Sequence, residues 1–154
     1  MPNTQTLAEP LAIIGKSGRR AVRLSRDEIA DFARITSDSD PLHHPTHAVQ
    51  RVRRGEIIAS AEHTTARPIG LASSHFSRAG DGFSRERLCL DFNFAFKPPV
   101  FVEQQLSLSW QVASVEPHAG LGGSLVQVDG RTAVHPAVPG VVGRGTRLIK
   151  AQPV

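Results

Sequence analysis

The chain has 154 residues, of which 40% are hydrophobic and 21% charged, and it carries a formal net charge of +4 at neutral pH. This length and composition fit one domain over residues 1–154 and exclude a disordered chain. No apolar run approaches the roughly 20 residues that cross a bilayer. Residues 1–10 resemble a loose arm and lack the features of a secretory signal. The single cysteine, Cys89, favours a reducing, cytoplasmic environment.

The positive charge favours anionic partners. Arg51, Arg53 and Arg54 form the only dense basic cluster, but no aromatic residues interleave with it, and no zinc-finger or RNA-recognition pattern is present. We therefore do not expect a nucleic-acid partner. The phosphates of coenzyme A or of a carrier-protein arm account for the charge equally well, as does an ordinary solvated basic surface.

The N-terminal half predicts an edge hairpin and then two helices. Residues 12–14 and 20–24 are short apolar stretches typical of the hairpin. Ser25 and Glu28 form a capping box that begins a helix running through Arg34 and ending near Ser37. A second helix is expected just after Gly55.

The second predicted helix runs to about Arg67, before Pro68, and residues 70–85 read as a loop. Its face is unusually polar for a buried helix. The polar positions are Glu62, His63, Thr64 and Thr65.

The C-terminal half alternates between apolar and polar residues, which predicts long strands. The four predicted strands cover residues 88–97, 105–112, 124–134 and 141–149. Helices followed by an antiparallel meander indicate an α+β fold. A long curved sheet needs a cover, and the helix after Gly55 is the obvious candidate. A sheet wrapped around one central helix is the hot-dog arrangement, although composition alone does not select it.

Asp38 and His43 are the candidate catalytic residues, five positions apart across a turn that contains Pro41. A carboxylate and an imidazole can together hold a water and transfer protons near neutral pH. The alternative is structural, because Asp in such turns often bonds only to neighbouring amides, and His43 then lies on the surface.

Three segments resemble the MaoC-like, R-specific enoyl-CoA hydratase family. Residues 32–43 are similar to its hydratase signature, in which an aromatic residue precedes Gly-Asp-x-Asn-Pro-Leu-His. Residues 54–60 resemble the family's His-Gly segment, which opens the central helix, and residues 94–102 resemble its Phe-Lys-x-Pro-Val turn.

The resemblance implies a homodimeric hot-dog protein that hydrates enoyl thioesters, or dehydrates 3-hydroxyacyl thioesters, on coenzyme A or a carrier protein. Asp38 and His43 match the catalytic pair. The backbone N–H of Gly55 would bind the thioester oxygen, as suits a helix N-terminus, and Ser60 matches a pocket serine. No metal or redox cofactor is expected.

The chain departs from the family pattern at positions that bear on the substrate. Ser37 replaces the Gly, Asp40 replaces the Asn and Arg54 replaces the His. Glu62 and His63 belong to a polar face that replaces an aliphatic lining. We therefore expect Asp40, Glu62 and His63 to contact the substrate. Its acyl group is expected to be either polar, hydroxylated or ring-bearing, or a plain fatty chain.

Two other functions compete with the hydratase. A hot-dog thioesterase would use Asp38 to activate water toward the carbonyl, and a non-catalytic acyl-binding protein would retain the motif without turnover. His43, His44 and His47 also invite a metal site, but their spacing matches no standard zinc pattern.

Overall fold

A computed structural model describes residues 16–45, 56–76, 82–135 and 138–153. Within these ranges the chain forms two α-helices, two short 3₁₀ helices and five strands. The helices are α1 (Arg26–Ile35) and α2 (Ala61–Phe76), with 3₁₀ helices at Pro41–His43 and Ala119–Leu121. The strands are β1 (Ser17–Arg23), β2 (Phe83–Phe96), β3 (Gln105–His118), β4 (Gly123–His135) and β5 (Val138–Pro153).

The strands form one antiparallel sheet in the order β1-β3-β4-β5-β2. The predicted α+β class and the four C-terminal strands are confirmed. The predicted meander was wrong for the first of these strands, because β2 pairs with β5 and not with β3. Residues 20–23 belong to β1, an edge strand that pairs with β3. Residues 12–14, the other half of the predicted hairpin, and the cluster Arg51, Arg53 and Arg54 lie outside the described residues.

The capping box that begins α1 is confirmed. The Glu28 N–H donates to Ser25 Oγ at 3.1 Å, and the Ser25 N–H donates to Glu28 Oε2 at 2.8 Å. Ile29 and Ala33 are the buried residues of the helix. They fix the orientation of α1 and therefore of the loop that follows it.

The start of α2 differs from the prediction. The helix begins at Ala61 because Ser60 caps it, its Oγ accepting the His63 N–H at 3.2 Å. Residues 56–60 are instead extended beside residues 100–102. Ile58 forms a bridge with Phe101, and the backbones of residues 57 and 59 bond to those of residues 102 and 100. The prediction of a helix directly after Gly55 was wrong.

The end of α2 also differs, since the helix passes through Pro68 and ends at Phe76. Residues 70–76 are therefore helical and not part of a loop. Pro68 has no N–H to give to the Thr64 carbonyl, four residues earlier. Thr132 of β4, which is fully buried, supplies the missing donor, its Oγ1 donating to the Thr64 oxygen at 3.1 Å. A contact distant in sequence thus repairs the break that Pro68 would otherwise make.

Arg147 of β5 binds the second half of α2. Its guanidinium donates to Ser73 Oγ at 2.7 Å and to the Ile69 carbonyl at 3.1 Å. Burial lowers the pKa of Arg147 below its usual value. A buried polar contact therefore joins the helix to the sheet beside the apolar core of Ala72, Phe76, Trp110, Val112, Val126, Val128 and Ile149.

In one row of paired residues across the sheet, large aromatic residues lie next to glycines. Trp110 pairs with Gly18 and Gly130, Gly130 pairs with Gly143, and Gly143 pairs with Phe94. A Cβ on Gly18 would lie 2.5 Å from the Trp110 ring, and one on Gly130 would lie 3.6 Å from Pro68. Gly18 and Gly143 leave room for the two aromatic rings, whereas a Cβ on Gly130 would make only ordinary van der Waals contacts.

Strand β2 is the second edge of the sheet. It pairs with β5 on one side, with an irregularity between Cys89 and Asp91. This irregularity interrupts the predicted alternation, and much of the apolar surface of the strand is exposed. The exposed residues are Leu88, Leu90, Phe92 and Phe96, with exposed fractions of 49–59%.

No helix among the described residues is long and apolar enough to span a membrane.

The Thr132 contact predicts a stability effect. Thr132→Val keeps the volume of the side chain but leaves the buried Thr64 carbonyl without its donor, so we expect a loss of about 1–3 kcal/mol in the free energy of unfolding. Thr65→Val is the matched control. Its hydroxyl bonds to the Ala61 carbonyl within the helix, at 2.9 Å, and we expect a loss below about 1 kcal/mol. Equal losses in urea denaturation would contradict this role of Thr132.

Candidate active site

The end of α1 positions Asp38 through backbone hydrogen bonds. The Asp38 N–H donates to the Ala33 carbonyl at 2.8 Å, and the Ser37 N–H donates to the Arg34 carbonyl at 3.1 Å. This pair of bonds is the Schellman motif, which requires a left-handed residue just beyond the helix. Ser37 is that residue, with φ of 58°. The hydratase signature has Gly here, the residue that adopts this conformation most easily.

The carboxylates of Asp38 and Asp40 both take part in the turn. Asp38 Oδ1 accepts the Asp40 N–H at 3.0 Å, and Asp40 Oδ1 accepts the Leu42 N–H at 2.9 Å. Asp40 thereby caps the 3₁₀ helix that carries His43, and its side chain is exposed. The bond at Oδ1 leaves Asp38 Oδ2 directed toward His43.

The structure brings the predicted pair together. Nε2 of His43 lies 3.5 Å from Asp38 Oδ2, and His43 is buried, with 8% exposed. Its Nδ1 lies 2.8 Å from the Ile58 carbonyl oxygen. A carbonyl can only accept, so Nδ1 carries the hydrogen, and in the neutral imidazole Nε2 is the free acceptor. The separation exceeds a direct hydrogen bond and allows one water to contact both atoms.

A groove of about 400 Å³ lies against Asp38, lined by Ala30, Asp31, Arg34, Ser37, Asp38, Ser39 and His44. His44 does not face His43 as a joint ligand, because its Nε2 lies 2.8 Å from the Asp38 backbone carbonyl. Among the described residues no group of three or more side chains could hold a metal. His47 lies outside them.

Solved structures of similar shape include hydratases and dehydratases. An (R)-hydratase from A. caviae involved in PHA biosynthesis matches with a TM-score of 0.71 and 20% identity, covering 89% of this chain and 95% of that one. The (3R)-hydroxyacyl-ACP dehydratase HadBC from Mycobacterium tuberculosis gives 0.70 and 18%, covering 89% and 96%. A MaoC-like dehydratase from Rhodospirillum rubrum gives 0.70 and 17%, covering 92% and 94%. No protein-family model and no curated sequence matches the chain.

The chain has the fold of the MaoC-like hot-dog proteins. The match to those structures covers about nine-tenths of this chain, which confirms the fold that the motif resemblance implied. At 17–20% identity the likeness concerns the fold, so the chemistry depends on the residues of this chain.

The other residues predicted to bind the substrate lie in different environments. Ser60 is buried and accepts the His63 N–H as the cap of α2. Glu62 is exposed on the first turn of the helix. Gly55 lies outside the described residues, and residues 56–60 separate it from the start of α2.

His63 makes a contact that sequence patterns did not predict. Its ring stacks on Phe32 with centroids 4.3 Å apart and planes 4° from parallel. Burial lowers its pKa to about 4, and the nearby Arg67 adds to this effect. Phe32 and His63 are distant in sequence: Phe32 begins the first signature segment, whereas His63 lies just beyond the end of the second. No sequence pattern indicated a role for Ile58 either, because it anchors His43 through its backbone carbonyl and not through its side chain.

The left-handed Ser37 predicts that Ser37→Gly stabilises the protein. An L residue in this conformation costs about 1–2 kcal/mol, part of which is offset by the greater backbone entropy of Gly in the unfolded chain. We expect a gain of about 0.5–1 kcal/mol in the free energy of unfolding. Ser39→Gly is the control, because Ser39 has no positive φ and should only lose stability. A loss in both variants would contradict strain at Ser37.

Proposed function

We propose that the protein is a hydro-lyase that hydrates an enoyl thioester, or dehydrates a 3-hydroxyacyl thioester, carried by coenzyme A or a carrier protein. The observation that supports this most directly is the Asp38–His43 pair. Each side chain is held by a separate backbone group, and the remaining atoms, Oδ2 and Nε2, face each other at 3.5 Å. Similar folds occur in an (R)-hydratase and in a (3R)-hydroxyacyl-ACP dehydratase.

In the proposed hydration, one water binds between the two side chains. His43 Nε2 accepts one of its hydrogens and orients it, while Asp38 Oδ2 takes the other as the water oxygen bonds to the β-carbon. The proton held by Asp38 then passes to the α-carbon, so that one water adds across the double bond. Dehydration is the reverse.

The groups that bind the thioester remain predictions. A backbone N–H at Gly55 would stabilise the negative charge on the thioester oxygen. The buried Ser60 hydroxyl accepts one hydrogen bond and retains its own hydrogen to donate. The choice between coenzyme A and a carrier protein, and the cytoplasmic location, also remain predictions.

The dyad predicts a large loss of activity in two conservative variants. Asp38→Asn keeps an oxygen to accept the Asp40 N–H but removes the base. His43→Asn keeps an N–H for the Ile58 carbonyl but removes Nε2. We expect kcat/KM for trans-2-enoyl-CoA hydration to fall about 10²–10⁴-fold in each variant. The double variant should be little worse than either, since the two groups act on one water.

Asp40→Asn tests whether a loss of activity arises from the dyad or from a change in the turn. The amide oxygen can still accept the Leu42 N–H, so this variant should retain measurable turnover. Mass spectrometry of the products distinguishes the alternatives, because a thioesterase releases free thiol and a binding protein yields no product. Near-full activity of Asp38→Asn on a confirmed substrate would rule out the proposed dyad.

We also propose that the protein is a homodimer joined along β2. One edge of β2 is unpaired in the described chain, and Leu88, Leu90, Phe92 and Phe96 are exposed on it. An exposed apolar edge strand readily pairs with another strand. A second copy of the chain, paired edge to edge, would cover this surface.

The proposed dimer predicts that Phe92→Lys weakens self-association. A charge on the apolar edge should shift sedimentation at micromolar concentration from dimer toward monomer. Leu121→Lys is the matched control, since Leu121 is an exposed apolar residue on the β3–β4 connection, distant from β2 in the sheet order. A monomeric wild-type protein would contradict the proposed assembly.

A further inference from the structure

The polar residues at the start of α2 differ in whether their hydrogen bonds are already made. The hydroxyls of Thr64 and Thr65 both donate to the Ala61 carbonyl, each at 2.9 Å. Glu62 is exposed to solvent. His63 is 4% exposed, and its Nδ1 has no hydrogen-bond partner among the described residues. Of this polar face, His63 alone combines burial with unused hydrogen-bonding capacity.

The surroundings of His63 hold its ring in place and keep it neutral. Phe32 stacks on one face. The charged groups that act on it are Arg67, which opposes protonation, and Glu28, which favours it. These two pair with each other at 2.8 Å. With a pKa of about 4, the imidazole is neutral near pH 7 and offers one lone pair and one N–H.

His63 contacts residues that adjoin the two backbone segments holding the dyad. Its backbone N–H donates to Ser60 Oγ. Ser60 lies two residues beyond Ile58, whose carbonyl anchors His43. Its ring contacts Phe32, the neighbour of the Ala33 whose carbonyl binds the Asp38 N–H. The imidazole therefore lies at the contact between α1 and the start of α2, and each of these helices adjoins a segment that holds the dyad.

We propose that His63 determines substrate specificity by hydrogen bonding, through Nδ1, to a hydroxyl group on the acyl chain beyond the reacting carbons. This inference rests on the proposed function. An unpaired polar atom in a buried site is unfavourable, and a ligand that pairs with it removes the penalty. A hydroxyl can donate or accept, so it suits either tautomer of the neutral imidazole. A carboxylate would favour the charged imidazolium, which burial opposes.

The test compares two enoyl-CoA thioesters that differ only in a hydroxyl on the acyl chain, with the hydroxyl placed in turn at each carbon from the fourth to the eighth. For at least one position, wild-type kcat/KM should favour the hydroxylated member by about 10- to 100-fold. His63→Phe retains an aromatic ring to stack on Phe32 but has no hydrogen-bonding nitrogen. In this variant the preference for the hydroxylated thioester should fall to near unity.

His63→Asn is the complementary variant. Its amide places a hydrogen-bonding atom near the position of Nδ1, so part of the preference should return. This partial recovery separates hydrogen bonding from loss of packing, and it keeps the test valid if His63→Phe folds poorly. An unchanged preference in both variants, or an equal loss of kcat on both thioesters, would overturn the inference.

A binding measurement separates this inference from the proposed function. Saturated thioether analogues, with and without the hydroxyl, are titrated into ¹⁵N-histidine-labelled protein. The hydroxylated analogue alone should shift the His63 ring nitrogen signals, whether or not any thioester is turned over. Turnover without this shift contradicts the role of His63 alone, whereas the shift without turnover contradicts the hydro-lyase proposal alone.

Discussion

The geometry of the candidate site depends on the backbone of Ile58. Its N–H donates to the Leu42 carbonyl at 3.0 Å, and its carbonyl accepts Nδ1 of His43 at 2.8 Å. The flanking residues 57 and 59 are bonded to residues 102 and 100, so this segment cannot shift without breaking several hydrogen bonds. The imidazole is therefore oriented by the main chain. Any displacement of residues 56–60 would change the distance between Nε2 and Asp38.

Features set by local interactions were predictable from the sequence. Ser25 and Glu28 begin α1 by bonding to each other's backbone, and Pro41 enforces the turn that brings Asp38 near His43. Two-residue alternation gave the strands for the same reason, since strand geometry repeats along the chain. The limits of α2 were not predictable in this way. Its passage through Pro68 depends on a donor 68 residues away from Thr64 along the chain.

Burial was less predictable than secondary structure. The alternation in β2 correctly indicated a strand with an apolar set of side chains, yet several of these are about half exposed in the single chain. Alternation shows which residues share a face, but it does not show whether this chain or a second copy covers that face. The position of β2 at the edge of the sheet, which only the topology reveals, is the observation that supports the proposed dimer.

A polar residue in a buried helix has no single meaning. Ser60 ends an extended segment and caps the helix, and the Thr64 and Thr65 hydroxyls bond to a carbonyl of their own helix. From sequence these residues were indistinguishable from His63, because all interrupt the aliphatic pattern in the same way. The structure separates them by showing which hydrogen-bonding groups are already paired. A side chain whose hydrogen bonds are made within its own helix contributes to the fold. An imidazole fixed by stacking, with a nitrogen left unpaired among the described residues, is suited to contact a ligand.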